Sequence, residues 1–206
     1  MVWKLVPQNE RLCQQLGSCF LDISLLPVFV IPLILTAILY SGPLVVLTDT
    51  YTWTEFKTHL SEEFSLNDVV FIRNYIVAPV SEDYIFRAVM VCLLREVSNN
   101  YLFLILASSL VFSLAHSHHY FFQRIQGDVK ISEREWVFQM TYTFLFGCYC
   151  CLFYLKTGSF LTPALLHAFC NFMGFPDLDL LLSNKRYFRA TVGGFICWIL
   201  AMYLYI

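Results

Sequence analysis

The chain has 206 residues, of which 58% are hydrophobic and 17% aromatic, and its net charge is −2. Only 14% are charged, against about 25% in soluble domains, so the apolar excess points to a membrane-embedded protein. A near-neutral balance with no basic block argues against a nucleic-acid partner.

Residues 1–17 are mixed in polarity and include Lys4, Glu10 and Arg11. No short apolar core with a small-residue cleavage site follows, so a removable signal peptide is not expected. Cys13 and Cys19 precede the first apolar run, a position open to palmitoylation. Residues 21–47 form the first candidate span, since crossing a bilayer takes about 20 apolar residues. Pro27, Pro32 and Pro43 are expected to kink or shorten it. Residues 49–68 are polar and acidic with Trp53 and Phe56 interleaved, which suggests an interfacial loop or short surface helix.

Residues 69–94 are apolar apart from internal charges that include Glu82, Asp83 and Arg87. Residues 100–116 form a hydrophobic run ending in His116-Ser117-His118-His119. A polar connector, 123–134, leads to another candidate span at 136–155. A shorter helix over 157–174 is announced by Gly158 and by Thr162-Pro163, an N-cap and first-turn pair. Residues 188–206 supply a last span. The fold class expected is all-α: a polytopic membrane bundle of roughly six helical segments with a polar cavity inside it, read as a single domain over 1–206. Lys and Arg show no clear asymmetry between connectors, so charge does not specify the orientation.

Of the eight cysteines, only Cys148 and Cys151 stand at C-x-x-C spacing. No second such pair completes a four-ligand zinc site. Six lie in apolar runs, where a free thiol behaves as a small hydrophobe.

The chemistry-bearing residues are those a bilayer should reject. Ionisable groups at membrane depth persist mostly where they face each other or a water-filled cavity. Asp83 and Arg87 are i and i+4 with the acid first, the better orientation for an ion pair. Glu82 and Arg87 are i and i+5, about 140° apart around a helix axis, which leaves the Glu82 carboxylate available. The bland alternative makes Ser81 an N-cap with two acids in the first helical turn. His116 lies one turn after Phe112, with Ser108, Ser109 and Ser113 nearby to allow close helix approach. His167 and Asn171 share a helix face and can both donate hydrogen bonds, either to a developing oxyanion or as polar glue between helices. Together these groups supply what water-mediated amide hydrolysis requires, a base for water and a stabiliser for the tetrahedral anion.

At these residues the chain resembles the type II CAAX prenyl endopeptidases, the Ras-converting membrane proteases. Arg73-Asn74-Tyr75, Ala78-Pro79-Val80-Ser81-Glu82-Asp83 and Phe86-Arg87-Ala88 resemble the E-E-x-x-x-R motif and its flanks. Phe112 to His116 resembles F-x-x-x-H, and His167 to Asn171 resembles H-x-x-x-N, trailed by Gly174-Phe175-Pro176. The resemblance covers roughly residues 70–180, an extent that rests on three motifs in order rather than on any one of them. It implies a helical protease of the endoplasmic reticulum membrane with its site open to the cytosol. Such an enzyme removes the last three residues of farnesylated or geranylgeranylated C-a-a-X proteins such as Ras-like small GTPases. It implies Glu82 and His116 as the water-activating pair, His167 and Asn171 as the oxyanion hole, and Arg87 supporting the acids. The second acid is Asp83 here, where the family motif has Glu; as the partner of Arg87 it is compatible with activity. One clear span precedes the first motif, fewer than family members usually have.

No cofactor is expected. Two other readings stay open: zinc held by Glu82, His116 and His167 with a water, and a truncated or non-catalytic scaffold that binds in the same pocket.

Overall fold

The computed structural model describes residues 26–63, 68–118 and 132–205. The leading residues with Cys13 and Cys19, His119 and most of the 123–134 connector lie outside them. The described residues form helices joined by short turns and irregular segments, with no strands among them. They fall into two compact units: residues up to Val80 together with those from Ala164 onward, and Ser81–Pro163.

In the first unit, α1 (Leu26–Leu39) and α2 (Ser41–Thr50) meet at a 74° bend. The expected proline kink is there, but Pro32 does not cause it. Pro32 sits inside α1, and the Thr36 hydroxyl donates to its carbonyl at 2.8 Å. The break falls at Tyr40, four residues before Leu44 and just ahead of Ser41-Gly42-Pro43. In a straight helix the Pro43 ring would clash with the Leu39 carbonyl. The bend is held by the last helix, α11 (Lys185–Tyr205), because the Ser41 hydroxyl donates to the Ala190 carbonyl at 3.0 Å. A Cβ on Gly194 would overlap that hydroxyl and stand 2.6 Å from the Ile38 carbonyl, and one on Gly42 would overlap the Thr191 side chain. Small residues here let helix backbones approach closely. Gly194→Ala should therefore destabilise the protein by about 1–3 kcal/mol through overpacking, read as a lowered unfolding temperature in detergent.

The polar stretch after α2 forms a surface helix, α3 (Trp53–Glu63). Thr52 opens it with a capping box: its amide and hydroxyl donate to the Glu55 carboxylate at 2.8 and 2.7 Å. These bonds hold the Glu55 carboxyl below its ordinary range. A depressed acid stabilises above its unfolded pKa, so this small contribution is present at neutral pH and fades as acidification protonates Glu55. Trp53 is exposed and stacks on Phe56, with Lys57 over its ring.

Residues 69–95 alternate between α and π geometry: α4 (Val69–Ile72), π1 (Arg73–Val77), α5 (Ala78–Asp83), π2 (Tyr84–Val89) and α6 (Met90–Arg95). The two π turns are not visible in the apolar pattern. Asp68 caps this run by accepting from the Val70 amide. Ser81 therefore lies inside a helix rather than at its start, which removes the N-cap reading of that serine.

The second unit packs π2 and α6 against α7 (Tyr101–Ala115) and α8 (Glu133–Thr157). Its core joins Ala88, Val91, Leu104, Cys151, Tyr154, Leu155 and Phe160. Asn100 caps α7 by accepting from the Leu102 and Phe103 amides. Ser132 and Glu135 form a capping box on α8, so this helix starts a turn earlier than its apolar run. Gly158, at φ 69°, ends α8 in the left-handed conformation that favours glycine; it closes one helix rather than opening the next. The following helix, α9 (Leu161–Met173), starts ahead of Thr162, so Thr162-Pro163 sits in its first turn. The serines of α7 face α8, as their size suggests: Ser113 donates to the Met140 carbonyl at 2.7 Å, Ser108 to Cys151 Sγ at 3.2 Å, and Gly147 sits against Ser109. The six described cysteines are unbridged.

Among the described residues two helices, α8 and α11, are long and apolar enough to cross a membrane, and the bent pair α1–α2 makes a third candidate. α11 turns Phe195, Ile196, Ile199, Leu200, Tyr203 and Leu204 outward. Apolar side chains on the outside and helices that satisfy their own backbone are what a bilayer selects. The chain is an all-α polytopic membrane protein.

Candidate active site

In the second unit, the acids of the E-D-x-x-x-R stretch take different positions. Asp83 is fully buried and forms an ion pair with Arg87, Nε to Oδ1 at 3.1 Å. The i,i+4 spacing predicts this pair, and the shorter acid reaches. The Arg87 Nη atoms make no hydrogen bond among the described residues. Instead the guanidinium carbon lies 3.9 Å above the centre of the Phe112 ring, a cation–π contact strengthened by desolvation. Phe112 is itself buried and meets the Phe86 ring edge-on at 5.2 Å.

Glu82 points elsewhere and is about a third exposed, at 32%. Its Oε2 lies 3.7 Å from His116 Nε2, too far for a hydrogen bond and close enough for one small molecule to touch both.

The orientation of His116 follows from how α7 ends. The last carbonyls of a helix lack intrahelical donors. The His116 amide tightens the turn by bonding the Ser113 carbonyl at 2.9 Å, and so does not serve Phe112. The His116 ring folds back and its Nδ1 meets the Phe112 carbonyl at 2.8 Å. A carbonyl can only accept, so Nδ1 carries a proton and Nε2 is the ring nitrogen turned towards Glu82. The ring also stands edge-on to Phe112, with centroids 4.6 Å apart. Phe112 thus supports both Arg87 through its ring face and His116 through its ring and its backbone. Its spacing to His116 is legible in sequence, but its place beneath Arg87 is not. His118, exposed, turns its Nδ1 to the Ala115 carbonyl.

In the first unit, His167 and Asn171 lie on α9, His167 buried and Asn171 exposed. Asn171 Nδ2 donates to the Asn74 carbonyl at 2.8 Å. Sequence reasoning did not single out the Asn74 carbonyl, because a backbone acceptor leaves no trace in residue type. Beside this contact, Tyr75 and Phe172 pair edge-on at 6.3 Å. Both line a cavity of about 340 Å³ walled by α2 residues including Val46 and Leu47, and by Leu180 and Leu181 of α10 (Leu178–Ser183).

Within either unit, no three His, Cys, Asp or Glu side chains among the described residues converge in a group suited to a metal ion.

The comparisons with known proteins agree with the motif reading. Residues 65–173 match the family model described as type II CAAX prenyl endopeptidase Rce1-like. The chain is 32% identical over 176 residues to the CAAX prenyl protease 2 of Homo sapiens, covering 78% of this chain and 51% of that protein. It is 31% identical over 195 residues to the CAAX prenyl protease 2 of Arabidopsis thaliana, covering 84% and 62%. To the probable CAAX prenyl protease 2 of Schizosaccharomyces pombe it is 32% identical over 151 residues, covering 72% and 55%. It therefore spans between about half and three-fifths of the length of these relatives. No solved structure matches it significantly. The family model covers more than half of the chain, including Glu82, His116, His167 and Asn171, and on that match the chain belongs to the type II CAAX prenyl endopeptidase Rce1-like family.

Proposed function

We propose that this chain carries a glutamate-dependent intramembrane endopeptidase activity that releases the C-terminal tripeptide from farnesylated or geranylgeranylated C-a-a-X proteins, Ras-like small GTPases among them. The observation that carries the reading is the Glu82–His116 pair, with Oε2 and Nε2 3.7 Å apart and His116 Nδ1 bonded to the Phe112 carbonyl.

In this reaction a water held by both groups attacks the carbonyl carbon of the prenylated cysteine. Its proton passes to the Glu82 carboxylate as the C–O bond forms. His167 and Asn171 donate to the carbonyl oxygen as it becomes an oxyanion. The C–N bond then breaks, and the proton held by Glu82 goes to the leaving amine of the tripeptide. Asp83 and Arg87 neutralise each other and keep the Glu82 helix in place. The cavity beside Asn171, with Val46, Leu47, Leu180 and Leu181 in its wall, offers a volume to the isoprenoid chain, in the lower part of the roughly 300–1,000 Å³ range of small-molecule pockets. The proposed setting is the endoplasmic reticulum membrane, with the site open to the cytosol.

The test is release of the tripeptide from a farnesylated C-a-a-X peptide by the purified chain in detergent, followed by mass spectrometry. Turnover of the prenylated peptide and not of its unmodified counterpart is expected. No turnover of either would reject the reading. The proposed mechanism uses no resident metal, so a strong chelator should leave the rate within about twofold. A loss on chelation reversed by added zinc would instead favour a metal-dependent hydrolysis.

A further inference from the structure

The contact between Asn171 and Asn74 falls on a carbonyl inside π1, where the helical register changes. In π1 the bonds run from each carbonyl to the amide five residues on, and the Ala78 amide accordingly bonds the Arg73 carbonyl. The next carbonyl in that register, Asn74, would take its bond from residue 79. That residue is Pro79, which has no N–H. The Ala78 amide, the donor an α register would use, is committed to Arg73. The Asn74 carbonyl is left to the carboxamide of Asn171, at 2.8 Å. Because a carbonyl only accepts, the NH2 end of Asn171 must face it, which fixes both the side-chain rotamer and the flip of the amide. One N–H is then spent and the second remains to donate. π turns inside α-helices recur at functional sites, and this one has an identifiable consequence.

We propose that Pro79 is a positioning residue for Asn171: by withholding a backbone N–H from the π turn, it keeps the Asn74 carbonyl open to the carboxamide and so sets the direction of the remaining donor. The consequence for catalysis rests on the proteolytic reading; the positioning itself does not.

The experiment compares three proteins in micelles: the wild type, Pro79→Ala, and the α-hydroxy analogue of alanine at position 79, introduced by nonsense suppression. The last has the alanine side chain but an ester in place of the amide, and hence no N–H. With 15N-labelled asparagine, NMR should show one Asn171 Nδ2 proton shifted downfield in the wild type and in the ester, and not in Pro79→Ala. In the cleavage assay, Pro79→Ala should lower kcat by roughly tenfold or more with KM unchanged, as misaligned reacting groups do, and the ester should restore it. In an Asn171→Ala background, Pro79→Ala should lower kcat no further. Identical Asn171 amide signals in all three proteins, or loss of the shift in the ester as well, would overturn the proposal. If the wild type shows no turnover at all, proteolysis fails as a reading, while the amide signals still decide the role of Pro79.

Discussion

Replacing Glu82 by Gln should lower kcat for cleavage of a farnesylated C-a-a-X peptide by about 10²- to 10⁴-fold, the usual range for a lost general base. The carboxamide keeps the size and shape of the carboxylate and cannot take a proton from water. Glu82 is a third exposed, forms no ion pair with Arg87, and sits 3.7 Å from His116. Its neutralisation leaves no charge buried alone, so the unfolding temperature of Glu82→Gln should stay close to that of the wild type. A variant that kept full kcat would remove Glu82 from the reaction. Unfolding of the variant would show that the carboxylate holds the fold instead.

The largest effect on stability is expected at Arg87. Arg87→Met removes the cation from a pair in which both partners are at most 1% exposed. Asp83 would then be an anion buried without its cation, a situation that typically costs 3–5 kcal/mol. The Phe112 ring would also lose the guanidinium lying 3.9 Å above it. The double variant Asp83→Leu/Arg87→Met should recover much of the loss, because well-packed apolar residues replace buried ion pairs with little penalty. Denaturant or thermal unfolding in detergent gives both values. An Arg87→Met protein as stable as wild type would mean that the pair is open to water and does not brace the Glu82 helix. Lys in place of Arg should rescue only in part, since an ammonium neutralises Asp83 but does not stack as a plane on Phe112.

Much of this arrangement is legible in the sequence because it depends on local rules. The i,i+4 spacing of Asp83 and Arg87 anticipates their ion pair. Small α7 residues anticipate the close approach to α8. The span expected at 136–155 falls inside α8, and the described part of the one expected at 188–206 falls inside α11. What the sequence hides depends on tertiary contacts or on unusual backbone registers. Pro27, Pro32 and Pro43 read alike in sequence, yet Pro32 sits inside α1 and the break between α1 and α2 falls ahead of Pro43. There Ser41, Gly42 and Gly194 let α11 close over the corner. The π turns at 73–77 and 84–89 carry no mark in the apolar pattern. The short helix α10 was too brief for its apolar pattern to register. At the site, residue types and order point to Glu82, His116, His167 and Asn171. The backbone acceptors that aim two of them, the carbonyls of Phe112 and Asn74, could be found only from coordinates.

The central claim is that Glu82 and His116 act together on one water, and a double-mutant cycle on kcat tests it most directly. Glu82→Gln, His116→Ala and the combined variant are assayed on the same farnesylated peptide under single-turnover conditions. Groups acting as a unit are strongly non-additive, so the double variant should be no slower than the worse of the two single ones. Rate losses that simply multiply would show two independent roles and contradict the shared-water pair.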